Sequence, residues 1–320
     1  MRVRREHGGG TMRRAVGLLL AAGAVPLVLL SVAHRSRAEG IPPSPETCRS
    51  SIVYYYPDSI GREHAEIAGR IVKVVEGPLS AALGKHLTGY YFSRRKDLVA
   101  QIAHCQRLGA FPVGGMMHAE TALEYRNLWH LEVLGYSVAL STGAKQTINV
   151  AVRRGSGLRR LQDLRGRTLL TPEFWDVKSP RPTTIVFAGA LSLADFAEVN
   201  ETPSSISALT GLAFRQADAI LVSNRVFEVF KERSPKLWAT IQSIHESQPI
   251  PLNLLVGFGA LSAREREVLE KTWEIINTSS EGREALEYLR IDHMAAGGWS
   301  DVYDEDDLAT SAKGIDEGHL

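Results

Sequence analysis

Few side chains in this sequence stand in arrangements that do chemistry. His118 and Glu120 form a His-x-Glu pair at a strand-to-helix turn. Zinc needs three or four such ligands, so two alone favour a polar residue at a pocket edge. Ser156 and Gly157, with Arg153 and Arg154 beside them, have the composition of a phosphate-binding loop. Their place in a strand-to-helix crossover favours a structural turn. Cys48 and Cys105 are the two cysteines, and nothing in the sequence pairs either with an activating histidine. There is no Gly-x-Ser-x-Gly elbow and no Walker A loop. The sequence therefore does not read as an enzyme, and it implies no cofactor and no metal. Better candidates sit where predicted strands end. Tyr56 closes the run Tyr54-Tyr55-Tyr56, Met117 and His118 follow Gly114 and Gly115, and Asn224 lies just past a short buried strand. Trp175 shares a proline-rich loop with Phe174, where ligand contact and plain packing are both open. Thr183 and Thr184 begin a predicted helix. Asp218, at a strand start, reads first as a capping residue.

The elements that must position these residues follow from apolar periodicity. Strands are predicted at 51–56, 87–92, 111–117, 129–141, 148–152, 167–171, 217–222, 237–243 and 252–258. Helices are predicted between them at 63–82, 97–108, 121–125, 158–164, 183–195, 204–214 and 224–233, then at 264–278 and 282–289. Strands alternating with helices are the α/β pattern of parallel sheets.

With 320 residues, the chain is long enough for about two domains. A net charge of +1 argues against a nucleic-acid binder that relies on a strong positive field. Near the N-terminus, Arg13 and Arg14 precede a nearly unbroken apolar stretch at 15–33, and Ser36-Arg37-Ala38 follows. This is the pattern of a secretory signal peptide, with a retained membrane anchor as the competing reading. Export permits disulfides. Cys48 just precedes the first strand, and Cys105 ends a helix that feeds another. Both then lie at the bottom edge of one sheet, where a disulfide or two buried thiols are the alternatives. The acidic stretch after Trp299 is expected to be mobile.

The stretch 147–171, with Ser156, Gly157, Asp163, Leu164 and Gly166, resembles a signature of type II periplasmic solute-binding proteins. There it marks the passage from the first lobe to the second. Residues 211–219 resemble a helix-to-strand element of the phosphonate-binding proteins of ABC importers. Residues 249–261 resemble their return strand, and 264–289 their closing helices. The resemblance runs over about 50–298. It implies an α/β fold of two lobes joined by two crossing strands, near 145–149 and 247–252. The implied division is a signal peptide at 1–38, lobe one at 39–146 and 250–300, lobe two at 147–249, and an acidic tail at 301–320. It further implies a periplasmic monomer that captures a small molecule between its lobes by hinge closure. The partner would be an inner-membrane transporter.

The sequence departs from the family where relatives grip phosphonate. Their Ser-Thr-Ser-Gly-type turn corresponds to 179–185 here, where Thr183 and Thr184 keep hydroxyls but Pro182 lacks an N–H. Tyrosines expected near 96 and 146 are Lys96 and Gln146, and a histidine expected near 205 is Ser205. Lys96 and Arg181 still supply charge for an anion. The Gly114–His118 run reads as flexible and apolar, and methionine adapts to irregular apolar shapes. Two readings of the ligand follow: a small oxyanion imported by an ABC system, or a bulky apolar lipid or sterol ferried by the same fold. The expected ligand-binding residues are Tyr56, Lys96, Met117, His118, Gln146, Trp175, Thr183, Thr184, Ser205 and Asn224.

Overall fold

The structure, a computed structural model, describes residues 44–56, 62–139, 145–172 and 182–311. The expected signal peptide at 1–38, Trp175 and Arg181 lie outside the described residues.

Helix α1 (Pro45–Arg49) leads into β1 (Ser51–Tyr55), α2 (Arg62–Leu83), β2 (Thr88–Phe92), α3 (Arg95–Arg107), β3 (Gly114–His118), α4 (Ala119–Tyr125) and β4 (Glu132–Ala139). After β5 (Lys145–Gln146) the chain builds β6 (Ile148–Arg153), β7 (Thr168–Pro172), β8 (Glu198–Thr202), α5 (Ser205–Ala213), β9 (Ala219–Ser223), α6 (Asn224–Arg233), α7 (Pro235–Trp238) and β10 (Ile241–Glu246). It returns through β11 (Ile250–Pro251) to β12 (Asn253–Gly257), α8 (Ala263–Glu270), α9 (Thr272–Thr278), α10 (Ser280–Tyr288), β13 (Ile291–Ala296) and α11 (Glu305–Ser311).

Two sheets result. The first has six strands in the order β13-β4-β12-β3-β1-β2, and the second has five in the order β10-β6-β9-β7-β8. The outgoing and returning strands, β5 and β11, pair antiparallel as a ladder of their own. In the first sheet β1 runs parallel to β2 and β3, while β12 runs antiparallel to β3 and β4. Successive side chains of a strand point to opposite faces. Val53, Tyr55, Met117 and Leu254 accordingly join one core with Trp129 and Leu123. Ile52, Tyr54, Tyr56, Met116 and Leu255 join the other, beneath α2 and α9. Full burial of one such side chain contributes about 1.5–3 kcal/mol.

Gly114 and Gly115, expected to be flexible, are fixed members of β3. A Cβ on Gly115 would lie 1.8 Å from the Val53 carbonyl oxygen, so glycine serves close approach. Cys48 and Cys105 form a disulfide, with Cα atoms 5.7 Å apart.

Several elements differ from the sequence expectation. The predicted helix 183–195 reduces to one π turn, Pro182–Val186, and a 3-10 turn, Leu193–Asp195. Ala188 and Gly189 take positive φ between them and interrupt the helix. Residues 158–164 form only a 3-10 turn at Leu161–Leu164, and 264–278 divides into α8 and α9 at Lys271. Strands β8 and β13 were not foreseen. Both are sheet edges with little apolar alternation, so the signal that marks a half-buried strand is weak there. The chain after Trp299 is also not loose where described. Val302 and Tyr303 are buried in the first core, and Leu308 of α11 packs against it.

Candidate functional site

The ends of β1, β3 and β12 lie side by side at the edge of the first sheet where the chain crosses to the second. Asn253, the first residue of β12, is opposite His118, the last of β3. Tyr54 is opposite Met116 in the parallel β1–β3 register, and two residues further that register sets Tyr56 beside His118. Asn253, His118 and Tyr56 therefore form a row on one sheet face. All three are buried.

His118 sits in this row as a neutral imidazole. Burial pushes its pKa down to about 3. Its Nε2 is 3.4 Å from the side-chain nitrogen of Gln146 on the crossing strand. An amide nitrogen only donates, so Nε2 accepts and the imidazole proton belongs on Nδ1. Tyr56 is held from behind by Tyr91, whose hydroxyl donates to the Tyr56 carbonyl at 3.3 Å. The Tyr54 and Tyr91 rings are 5.9 Å apart. Burial raises the pKa of both phenols, which keeps them protonated.

The second sheet contributes α6. Ser223 caps this helix by accepting from the Val226 amide, and the Asn224 amide donates to the Thr147 carbonyl at 2.9 Å. The helix start is thus tied to the crossing segment. From its second position the Arg225 guanidinium lies over the Tyr56 ring, 5.6 Å from the centroid, and donates to the Tyr56 hydroxyl. At the other end of α6, Glu232 accepts from Arg290 at 2.8 and 3.0 Å.

The structure brings together Tyr56, His118 and Gln146 from the expected set, with Asn224 at the start of the facing helix. Others do not join them. Met117 is fully buried on the opposite face, in the core with Trp129, because adjacent strand residues alternate. Met116 is also core, so neither thioether lines a cleft. Lys96 is exposed on the first turn of α3. Thr183 and Thr184 belong to the isolated π turn, so no helix begins at them to hold an anion. Ser205 is buried at the first position of α5. Arg225 and Asn253 were missed.

Other motifs have structural roles. Gly155 and Gly157 take positive φ around Ser156. Asp163 accepts from the Arg159 and Arg160 amides at 2.9 and 3.0 Å, which lowers its pKa. Asp218 accepts from the Thr168 amide at 3.1 Å. Glu120 accepts from the Tyr303 hydroxyl at 3.4 Å.

Residues 115–302 match the family model described as ABC transporter, phosphonate, periplasmic substrate-binding protein. No curated protein sequence matches the chain. Among solved structures, a binding-protein component of an ABC phosphonate transporter from Pseudomonas aeruginosa superposes with a TM-score of 0.61 at 16% identity, covering 81% of this chain and 83% of its own. The PhnD1 protein of Prochlorococcus marinus, in complex with methylphosphonate, gives 0.64 at 10% identity, covering 83% and 100%. A Xanthomonas citri protein bound to ATP gives 0.63 at 12% identity, covering 82% and 98%. At these identities the likeness is one of fold.

Proposed function

The chain belongs to the family of periplasmic substrate-binding proteins of phosphonate ABC transporters, and we propose that it captures a small oxyanion of the phosphonate class between its two sheets. Its fold is the two-lobed α/β architecture of type II periplasmic binding proteins. The observation that carries the ligand reading is the Arg225 guanidinium, which one lobe presents to Tyr56 of the other. Lobe one, on this reading, is 39–146 with 250–300, and lobe two is 147–249. The β5–β11 ladder is the hinge. Closure on the ligand prepares it for delivery to the membrane transporter, and the chain does no chemistry on it. Export would use residues 1–38. Among the described residues no helix is long and apolar enough to cross a membrane.

The apolar-carrier reading loses the support that came from the methionines, because Met116 and Met117 are core residues. A thermal-shift screen tests the choice. Methylphosphonate, phosphite and phosphate should raise the melting point, by the equivalent of about 2.7 kcal/mol at a hundredfold excess over Kd. A rise with lipid or sterol and none with the oxyanions would overturn the proposal.

A further inference from the structure

Two polar groups at this site, Arg225 and Asn253, have hydrogen-bonding capacity that no partner among the described residues fills. Arg225 meets no carboxylate among the described residues, unlike Arg95, Arg266 and Arg290. It is half-buried and stands at the positive end of a ten-residue helix, where a cation is disfavoured and an anion is stabilised. Asn253 is buried, and neither its side-chain nitrogen nor its side-chain oxygen has a hydrogen-bond partner. A buried amide left in that state is costly. Its position is specific: it is the first residue of β12, separated from the returning strand β11 by Leu252, in the row with His118 and Tyr56.

The geometry points to Arg225 and Asn253 as the two ends of one ligand site, with Arg225 taking the negative charge and Asn253 an uncharged hydrogen-bonding substituent. Asn253 and Tyr56 stand on either side of His118 in the row, two strand spacings or about 10 Å apart. An anion held at Arg225 therefore reaches Asn253 through a short substituent that lies across His118. A hydroxyl can both donate to the amide oxygen and accept from the amide nitrogen. A cationic substituent would share the site with Arg225 and the helix end, and is disfavoured. The inference rests on the oxyanion reading and narrows it to phosphonates with a neutral polar arm.

Calorimetric titration of the full chain with methylphosphonate and hydroxymethylphosphonate tests this. The wild-type chain should bind the hydroxymethyl compound more tightly, by about five- to tenfold. Asn253→Leu should abolish that preference by weakening the hydroxymethyl compound more than methylphosphonate; it removes a buried polar group without partners, so the fold should hold. Arg225→Gln should weaken both ligands about ten- to a hundredfold, with Arg225→Lys between. An unchanged preference in Asn253→Leu, or unchanged affinity in Arg225→Gln, overturns this inference and leaves the oxyanion reading standing. Binding of neither phosphonate by the wild-type chain overturns both.

Discussion

Arg225 and Tyr56 lie 169 residues apart in sequence and meet where the two sheets face each other. The guanidinium both stacks on the ring and donates to the hydroxyl. The two interactions can be separated by substitution. Tyr56→Phe keeps the ring and removes the acceptor, which should cost about 1 kcal/mol of the closed arrangement. Tyr56→Ala should cost roughly another 1 kcal/mol by removing the cation–π contact. Small-angle scattering of the unliganded chain should show a graded increase in radius of gyration, wild type below Phe below Ala. Equal radii for all three would remove the contact as a closing interaction.

The Glu232–Arg290 pair bridges the same two regions but with both side chains largely exposed, 59% and 44%. Exposed pairs contribute about 0–1 kcal/mol and weaken with salt. Glu232→Gln should therefore lower ligand affinity by no more than about fivefold in dilute buffer, and not measurably at high salt. A larger effect that persists in salt would mean that α6 itself had shifted.

The disulfide closes a loop with a sequence separation of 57. Loop-closure entropy for that length corresponds to about 4 kcal/mol. Replacing both cysteines by serine should lower the melting point by many degrees and leave phosphonate affinity nearly unchanged. Cys48 and Cys105 lie in the first core, among Leu98, Ile102 and Ala110, away from the row of Asn253, His118 and Tyr56. Loss of affinity in a folded double variant would contradict that separation.

The sheets were legible in sequence because their central strands, such as β1 and β9, are short apolar runs closed by turn residues. The cysteines were legible because both flank strands of one sheet. Three kinds of position were not. Edge strands β8 and β13 carry little alternation. Met116 and Met117 are neighbours of identical type, and only the register with β1 and β12 shows that both enter the cores. Thr183 had a cap-like sequence, but the Ala188–Gly189 break follows too soon for a helix. Arg225 left one faint signal: a cation in a helix's first turn runs against the dipole, beside an Asn224 already chosen. Asn253 left none, because only tertiary packing shows that its amide is buried without partners.

His118 should govern the acid stability of the protein. Its folded-state pKa is about 3, against about 6.5 for an unfolded chain. Between those values the unfolded chain binds a proton that the folded chain does not. Stability therefore rises with pH across this window and is lost as pH falls through it, approaching 1.4 kcal/mol per pH unit. From pH 6.5 to pH 5, above the range where most carboxylates titrate, the loss from His118 is about 1.5 kcal/mol. His118→Gln has no such proton to gain, so its denaturation midpoint should stay flatter over that interval. Urea titrations of both chains at pH 6.5, 5.8 and 5.0 would measure the two slopes. Parallel slopes would show that the folded protein takes up the imidazole proton over the same pH range as the unfolded chain, and that the buried, neutral contact with Gln146 does not persist below that range.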